Sequence, residues 1–440
     1  MAGITGIFSK SKLPKMDTYI LGVFITLCVV SVVESYSASS REIATSGSII
    51  APTLKHIFLL GLGSLVMLIV SRIHYNKILI PSIFFSIVTV ICLLYSMFFS
   101  SNINGAQRVS HLPGFTLQPA EMAKIAVVFV LAFLLALFID RKEGRVQSKG
   151  VYWCVFIVSG FGLLLIMNGM TNTLLFMCTS VAMMIIGGTQ AKKFFKIFAL
   201  YAVVGLALMW VKSCINENNL DDLDKQSVVE QTTENDSKRA ELRDKVWTAR
   251  IATYFSRFSS PLYEEEIKVG ENDQEIYSHM AQANGGVIGV MPGNSRECSR
   301  LPLAFSDYVF AIVVEDLGFV GGTALILLYF SLLIRAGNVA RNCNRAYPAF
   351  LVMGMAVMIV LQAFFHTAIV TGVFPVSGQQ LPLISRGGTA IILTGLAFGV
   401  MLSVSRFGPE DVKSSKTNTS LPENMRAANP TFDSRGSIGK

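Results

Sequence analysis

The chain is poor in charge. Asp, Glu, Lys and Arg make up 15% of its 440 residues, whereas 52% are hydrophobic, and soluble domains usually carry about 25% charge. So much apolar sequence cannot be covered by a polar surface in water, which excludes an ordinary soluble protein. The net charge of +8 does not indicate nucleic-acid binding, because the basic residues form short clusters between apolar runs.

The seven cysteines show no metal-binding or redox spacing. No C-x-x-C pair occurs, and most cysteines lie inside apolar runs, where a cysteine usually acts as a small hydrophobic side chain. Cys214 and Cys298 differ, because both fall in a polar segment expected outside the cell, where disulfides are permitted. Sequence alone does not show whether the two meet. No cleavable signal peptide is expected, because no small-residue cleavage site follows a short apolar core.

Long apolar runs make up most of the chain, and a membrane-spanning helix needs about 20 such residues. The stretch 151–188 is open to two interpretations, namely two spans with a tight turn at 168–172 or one long kinked element. We predict an all-α polytopic membrane protein with about ten transmembrane helices, at 18–35, 56–71, 79–99, 122–139, 151–168, 173–188, 194–212, 308–334, 348–372 and 388–405.

The basic residues predict the orientation of these helices. Alternate connections, starting with the N-terminus, hold most of the lysines and arginines of the short loops, and positive charge marks the cytoplasmic side. Both termini are therefore expected in the cytoplasm. One large extracytoplasmic loop, 213–306, lies between spans 7 and 8, and within it 237–258 is typical of an amphipathic helix at the membrane surface.

Three segments are expected along the chain. Residues 1–16 form a cytoplasmic N-terminus, and residues 17–407 form the transmembrane domain that includes the large loop. Residues 408–440 are rich in Ser, Asn and Pro, and this composition is typical of a disordered cytoplasmic tail.

Four groups of polar residues lie at the outer ends of the predicted spans. Ionisable residues at membrane depth are costly, and they therefore indicate candidate functional positions. In sequence order the groups are 104–108 with 118–124, then 285–295, then 301–318, and finally 371–389.

The first two groups each allow two interpretations. Glu121 and Lys124 share a helix face that Pro119 begins, which fits either a local ion pair or an anion-binding patch with Arg108. The glycines of 285–295 fit either a flexible loop or a close approach of the backbone to a ligand. No Lys-Ser or Lys-Thr pair follows them, which excludes a nucleotide P-loop.

The last two groups carry the remaining charges. Asp307 fits either the N-cap of the eighth span or a functional acid. Glu315 and Asp316 lie about 12 Å farther along that helix, where acids need partners or a water-filled cavity. Arg386 is the only charge in a loop of Pro and Gly, which fits either a structural re-entrant turn or the lining of a cavity.

Physical reasoning leaves two classes of function open. One is a transporter with a site near the membrane midplane, and the other is an enzyme that acts on a lipid-linked substrate at the outer leaflet. A transporter should carry interrupted helices in matching halves and polar groups on both sides. The polar groups crowd one side here, which favours the enzyme.

At these residues the sequence resembles the SEDS family of shape, elongation, division and sporulation proteins, over 17–407. Five segments match in order: 104–108, 118–124, 285–295, 301–318 and 375–389. The resemblance implies an inverting peptidoglycan glycosyltransferase of the bacterial cytoplasmic membrane, with lipid II as donor and acceptor for β-1,4 glycan strands. A lipid II flippase is the alternative.

The branch of the family bears on the biological role. The version of the loop at 293–295, Gly-Asn-Ser, is more similar to the division branch (FtsW) than to the elongation branch (RodA). This resemblance implies a role in septal wall synthesis at the division site. The alternative is an elongation-type (RodA-like) polymerase.

The resemblance also implies roles for single residues. Asp307 aligns with the essential acid of the family and is expected to take the proton from the attacking sugar hydroxyl. Arg108, Lys124 and Arg386 are candidates for contacts with the departing diphosphate. A divalent cation, Mg²⁺ or Mn²⁺, is the cofactor such chemistry would use, although no closed ligand set is readable. The remaining residues expected in the substrate site are Glu121, Asn294, Ser295, Glu315 and Ser385.

The expected partners are a class B penicillin-binding protein (FtsI-like) and other divisome membrane proteins, without nucleic acid. Small residues on spans 8 and 9 would let a single partner helix approach closely, and these are Gly321, Gly322, Ala349, Gly354 and Ala356. The chain also departs from the family pattern. The segment 168–172 replaces a motif containing Gln-Pro-Asp, Arg386 replaces a usual Tyr, His366 a usual Asn, and Val109 a common Trp.

Overall fold

The computed structural model describes residues 14–38, 51–99, 101–103, 106–112, 115–140, 145–166, 169–189, 273–301 and 304–409. In chain order the described helices are α1 (Thr18–Ser37), α2 (Ala51–Arg72), α3 (Tyr75–Phe99), α4 (Pro119–Leu137), α5 (Ser148–Ile166), α6 (Met170–Ile186), α7 (Asp273–Gly285), α8 (Val309–Arg341), α9 (Ala346–Val370) and α10 (Gly388–Phe407). Within these residues, 8 helices are long and apolar enough to cross a membrane, and α6 is a shorter apolar helix.

The prediction of an all-α polytopic membrane protein is confirmed. A described helix lies at each predicted span except 194–212, which lies outside the described residues, as do the amphipathic segment 237–258 and the tail from 410. The stretch 151–188 is two helices, and Gly169, with φ 127°, precedes the second. The polar helix α7, inside the large loop, was not predicted.

A small antiparallel ribbon joins α3 to α4. Its strands are β1 (Ser101–Ile103), β2 (Ala106–Leu112) and β3 (Phe115–Leu117), in the order β1-β2-β3. The register pairs Ser110 with Leu117 and Leu112 with Phe115. The ribbon was not predicted, although the Asn-Gly and Pro-Gly dipeptides beside these strands are ordinary turn signals.

The helices α4, α9 and α10 form the centre of the bundle, because most of each apolar stretch is buried. Gly354 on α9 lies so close to α4 and α6 that a Cβ there would come within 2.7 Å of Val128 and Met183. Ala356 is fully buried as well. The prediction that Gly354 and Ala356 line an outer face for a partner helix is therefore wrong.

At one end of the bundle, Asp17 ties three helices together. Its carboxylate accepts hydrogen bonds from the first turn of α1 and pairs with Arg335 on α8 at 2.8 Å. Its backbone N–H donates to Ser405 on α10. On the predicted orientation this is the cytoplasmic end, so the candidate site lies at the opposite, outer end.

Candidate active site at the outer ends of the helices

Asp307 lies two residues before the first residue of α8 and is half-buried. The N-cap position of α8 is Tyr308, which makes no side-chain capping bond, so the N-cap interpretation of Asp307 is wrong. Oδ1 of Asp307 accepts a hydrogen bond from the Ser306 hydroxyl at 3.0 Å. The following residues, Tyr308 to Phe310, are buried, so the carboxylate stands at the edge of an apolar core.

The segment that carries Asp307 is held by the loop 371–387 between α9 and α10, here called the return loop. The Ser385 hydroxyl donates to the carbonyl oxygen of Ser306 at 2.6 Å and accepts from the backbone N–H of Leu381 at 2.8 Å. Ser385 is buried. The structure therefore gives Ser385 a positioning role beside Asp307, and its predicted contact with substrate stays a prediction.

Arg386 fastens the same two segments together. Its backbone N–H donates to the carbonyl oxygen of Phe305 at 2.9 Å. Its guanidinium lies over the Phe305 ring, with Cζ 4.9 Å from the ring centroid, and reaches the Ser35 hydroxyl of α1 at 3.4 Å. A cation held against an aromatic face keeps its donors available for an anion. Arg386 thus contacts Phe305, which lies two residues before Asp307 in the sequence.

The predicted ion pair on α4 is confirmed. Lys124 is 1% exposed, and its Nζ lies 2.6 Å from Oε1 of Glu121. The amide of Gln362 on α9 contacts Oε2 of Glu121 at 3.4 Å and donates to the carbonyl oxygen of Gln380 at 3.1 Å. The pair is therefore connected to the return loop. Arg108 lies in β2, and its side chain lies outside the described residues.

The glycine-rich segment 285–291 packs against a break in α8. Gly318, with φ 72°, interrupts that helix. The backbone N–H groups of Val290 and Met291 donate to the carbonyl oxygens of Glu315 and Asp316, at 3.0 and 2.9 Å. The backbone N–H groups of Phe319 and Val320 in turn donate to the carbonyl oxygens of Gly286 and Val287. The segment is fixed along the helix, so the flexible-loop interpretation is wrong.

Glycine is required where this segment meets α8. A Cβ at Gly285 would collide with the carbonyl oxygen of Val314, and one at Gly289, where φ is 91°, would collide with that of Asp316. The sequence pattern indicated a close backbone approach, and the structure shows that α8 is what the backbone approaches.

The carboxylate of Glu315 on α8 binds residues 295–297, which follow the glycine-rich segment. It is 0% exposed, and it accepts bonds from the Ser295 hydroxyl at 2.5 Å and from the backbone N–H groups of Arg296 and Glu297, at 3.0 and 3.4 Å. Asn294 is exposed and donates to the carbonyl oxygen of Val290. Glu315 and Ser295 are thus engaged with each other, and substrate contacts by these residues stay predictions.

Sequence reasoning missed an acid in the first span. Glu34 is 0% exposed and interacts electrostatically with Asp316, and neither of its carboxylate oxygens has a hydrogen-bond partner among the described residues. An acidic residue within an apolar run was the available signal. Nearby, the buried Cys298 donates its thiol to the carbonyl oxygen of Ser37 at 3.2 Å. Cys214, the other cysteine of the large loop, lies outside the described residues.

The arrangement suits acid–base chemistry on an anionic substrate. Asp307, Ser385 and Arg386 come together through their backbone neighbours, and the return loop joins them to the Glu121–Lys124 pair. A half-buried carboxylate can accept a proton, whereas contacts of Arg386 and Lys124 with a diphosphate stay predictions. Within the described residues no three His, Cys, Asp or Glu side chains converge on a possible metal position.

The comparisons with known proteins cover nearly the whole chain. A probable peptidoglycan glycosyltransferase FtsW of Trichlorobacter lovleyi is 27% identical over 402 residues, which is 90% of this chain and 94% of the relative. Stage V sporulation protein E of Bacillus subtilis is 29% identical over 359 residues, or 79% of this chain and 85% of the relative.

Solved structures share the fold. The rod shape determining protein RodA of Thermus thermophilus matches with a TM-score of 0.57 at 19% identity, over 89% of this chain and 97% of that chain. A chain from a structure described as "Structural coordination of polymerization and crosslinking by a peptidoglycan synthase complex" matches with a TM-score of 0.63, at 19% identity over 89% and 98%. The family model for FtsW, RodA and SpoVE, described as "Cell cycle protein", matches residues 17–409. The chain therefore belongs to the FtsW, RodA and SpoVE family of cell cycle proteins.

Proposed function

We propose that the protein is a peptidoglycan glycosyltransferase that polymerises lipid II into β-1,4 glycan strands at the outer face of the bacterial cytoplasmic membrane. The observation that carries this proposal is the setting of Asp307, a half-buried carboxylate at the outer end of a membrane helix. The names of the most similar relatives support it. The Gly-Asn-Ser form of residues 293–295 supports a role in septal wall synthesis.

In the proposed reaction, Asp307 takes the proton from the sugar hydroxyl that attacks the anomeric carbon of a second lipid II molecule. The bond between that carbon and the diphosphate oxygen breaks, and the polyprenyl diphosphate leaves with both bonding electrons. One inversion at the anomeric carbon gives a β linkage, so a single carboxylate suffices and no covalent intermediate is needed.

The leaving diphosphate gains negative charge as the bond breaks, and cations that face it stabilise the transition state. Arg386 is one proposed contact, because it lies on Phe305, in the segment that carries Asp307. Lys124 and Arg108 are the other proposed contacts. A divalent cation would neutralise the same charge, but the described residues offer no converging ligand set, so the mechanism is derived from the side chains alone.

The proposed partner is a class B penicillin-binding protein that cross-links the glycan and contributes one membrane helix. The proposed seat of that helix is an apolar groove between α8 and α9, lined by Leu325, Phe330 and Phe364 among others. This groove replaces Gly354 and Ala356 as the proposed contact face. Other divisome membrane proteins remain proposed partners.

The deciding experiment uses the purified full-length protein in detergent with lipid II, in the presence of moenomycin. We expect polymeric glycan on gels, because the proposed site is unrelated to the polymerases that moenomycin inhibits. In a parallel assay, the protein is placed in liposomes and headgroup translocation is followed. Translocation without any polymer would reject the proposal in favour of a lipid II flippase.

A further inference from the structure

One buried residue, Gln379, joins the return loop to two helices at once, to one through its side-chain amide and to the other through its backbone carbonyl oxygen. The amide nitrogen of Gln379 donates to Oδ1 of Asn172, at the start of α6, at 2.8 Å. The carbonyl oxygen of the same residue lies 2.7 Å from Nδ1 of His366 on α9. Gln379 and His366 are 3% and 1% exposed, so both bonds are shielded from water.

The contact with Gln379 fixes the protonation pattern of the imidazole. A carbonyl oxygen can only accept a hydrogen bond, so Nδ1 of His366 must carry the hydrogen. In the neutral ring Nε2 is then an acceptor, and it is buried without a partner among the described side chains. A charged ring would bury a second N–H with nothing to receive it, which is costly. His366 therefore acts as a single N–H donor to the loop.

The next residue of the loop is anchored independently. The carbonyl oxygen of Gln380 accepts from Gln362, which lies one helical turn from His366 on the same face of α9 and also contacts Glu121. Two adjacent loop residues are thus tied to α4, α6 and α9. Only a few residues later, Ser385 and Arg386 hold the segment of Asp307.

We propose that Gln379 is a positioning residue for the proposed polymerisation, and that it acts by joining Asn172 to His366 and so fixing the return loop on which the Asp307 segment rests. Two places at which the chain departs from the family pattern, 168–172 and His366, meet at this one residue. The catalytic part of this inference rests on the proposed function, whereas the link through the two hydrogen bonds of Gln379 rests on geometry alone.

The test begins on α6, away from the loop. Asn172→Leu keeps the side-chain volume and removes the acceptor, so any effect on the loop must pass through Gln379. Backbone amides of 379–387 are expected to exchange hydrogen about three- to tenfold faster, because one buried hydrogen bond is lost. Exchange in α10 is expected to stay unchanged. Asn76→Leu, the same change at an exposed position, is the control.

The kinetic readout separates positioning from general damage. Asn172→Leu and Gln379→Leu are each expected to lower kcat about tenfold while KM for lipid II stays within about twofold, because misplaced groups slow the reaction more than binding. The double variant should be no slower than either single variant, because each single variant already removes the same hydrogen bond between Gln379 and Asn172. The exchanged pair, Asn172→Gln with Gln379→Asn, keeps the combined length and should recover activity to within about threefold of the parent.

The outcomes test separately the link through Gln379, its positioning role in the reaction, and the proposed function. Unchanged exchange in the loop of Asn172→Leu overturns the inference, whatever the activity. Faster exchange with unchanged kcat, or an exchanged pair that recovers nothing, overturns the positioning role. If the parent protein makes no polymer but Asn172→Leu still speeds exchange in the loop, the proposed function is overturned. The structural link from Asn172 through Gln379 to His366 then stands.

Discussion

Glu315 and Asp307 are two carboxylates at the outer end of the same helix, and their surroundings are opposite. Glu315 is fully buried and accepts hydrogen bonds from one hydroxyl and two backbone N–H groups. Asp307 is half-buried, and one bond to its carboxylate comes from the hydroxyl of the adjacent Ser306. The bonds around Glu315 indicate that this acid holds the fold, and the partial exposure of Asp307 is what the proposed catalytic role requires.

The neighbouring segments differ in the same way. Residues 285–291 are fixed to α8 through backbone bonds and glycine contacts, which tolerate little change. The return loop is fixed by side chains such as Ser385 and Gln379 in addition to the backbone bond from Arg386 to Phe305. Substitutions near Glu315 should therefore affect stability first, whereas substitutions near Asp307 should affect rate first.

The largest effect on stability is expected from Gly289→Ala. The residue has φ 91°, and its Cβ would collide with the carbonyl oxygen of Asp316. Strain and overpacking together should cost about 2–4 kcal/mol, measured as a lower unfolding midpoint in detergent. Gly286→Ala is the matched control, because φ is 52° there and nothing lies within 4 Å of its Cβ. Equal midpoints for the two variants would contradict the described packing.

A smaller effect is expected from Glu315→Gln. The amide removes the negative charge that strengthens the hydrogen bonds from two backbone N–H groups, so stability should fall by about 1–3 kcal/mol. Polymerisation per folded molecule should stay within about threefold of the parent. Unchanged stability with lost polymerisation would show instead that Glu315 belongs to the reaction and that the comparison with Asp307 is wrong.

The smallest effect, and one of opposite sign, is expected from Glu34→Leu. The buried carboxyl has no hydrogen-bond partner among the described residues, and replacing buried charged groups by apolar ones is often stabilising. The unfolding midpoint should rise, by a free energy of about 1 kcal/mol. A lower midpoint in both Glu34→Leu and Glu34→Gln would mean that the carboxyl makes a stabilising contact.

The sequence predicted the spans because apolar runs report directly on membrane crossing. It also singled out Asp307 and the Glu121–Lys124 pair, whose spacing on one helix face is a local property. The N-cap interpretation of Asp307 was wrong, since the exact start of a helix depends on tertiary packing that periodicity does not report.

Other parts of the site depend on contacts between distant segments, and these could not be predicted. The glycines of 285–291 indicated a close approach without identifying α8 as the neighbour. Gln362 and Gln379 carry no charge and lie in or beside an apolar run, so the sequence does not mark them. Their hydrogen bonds with Glu121 and Asn172 form only when the fold brings α4, α6 and α9 together. The small residues Gly354 and Ala356 indicated close packing, but within the bundle and not against a partner.

The central claim is that Asp307 is the catalytic base, and Asp307→Asn tests it most directly. Asn keeps the size of the side chain and can still accept the hydrogen bond of Ser306, so the unfolding midpoint should match that of the parent. Polymerisation of lipid II by the purified variant should fall about 10²–10⁴-fold, as expected for the loss of a general base. A stable variant that keeps more than about a tenth of the parent rate would contradict the claim and place the base elsewhere.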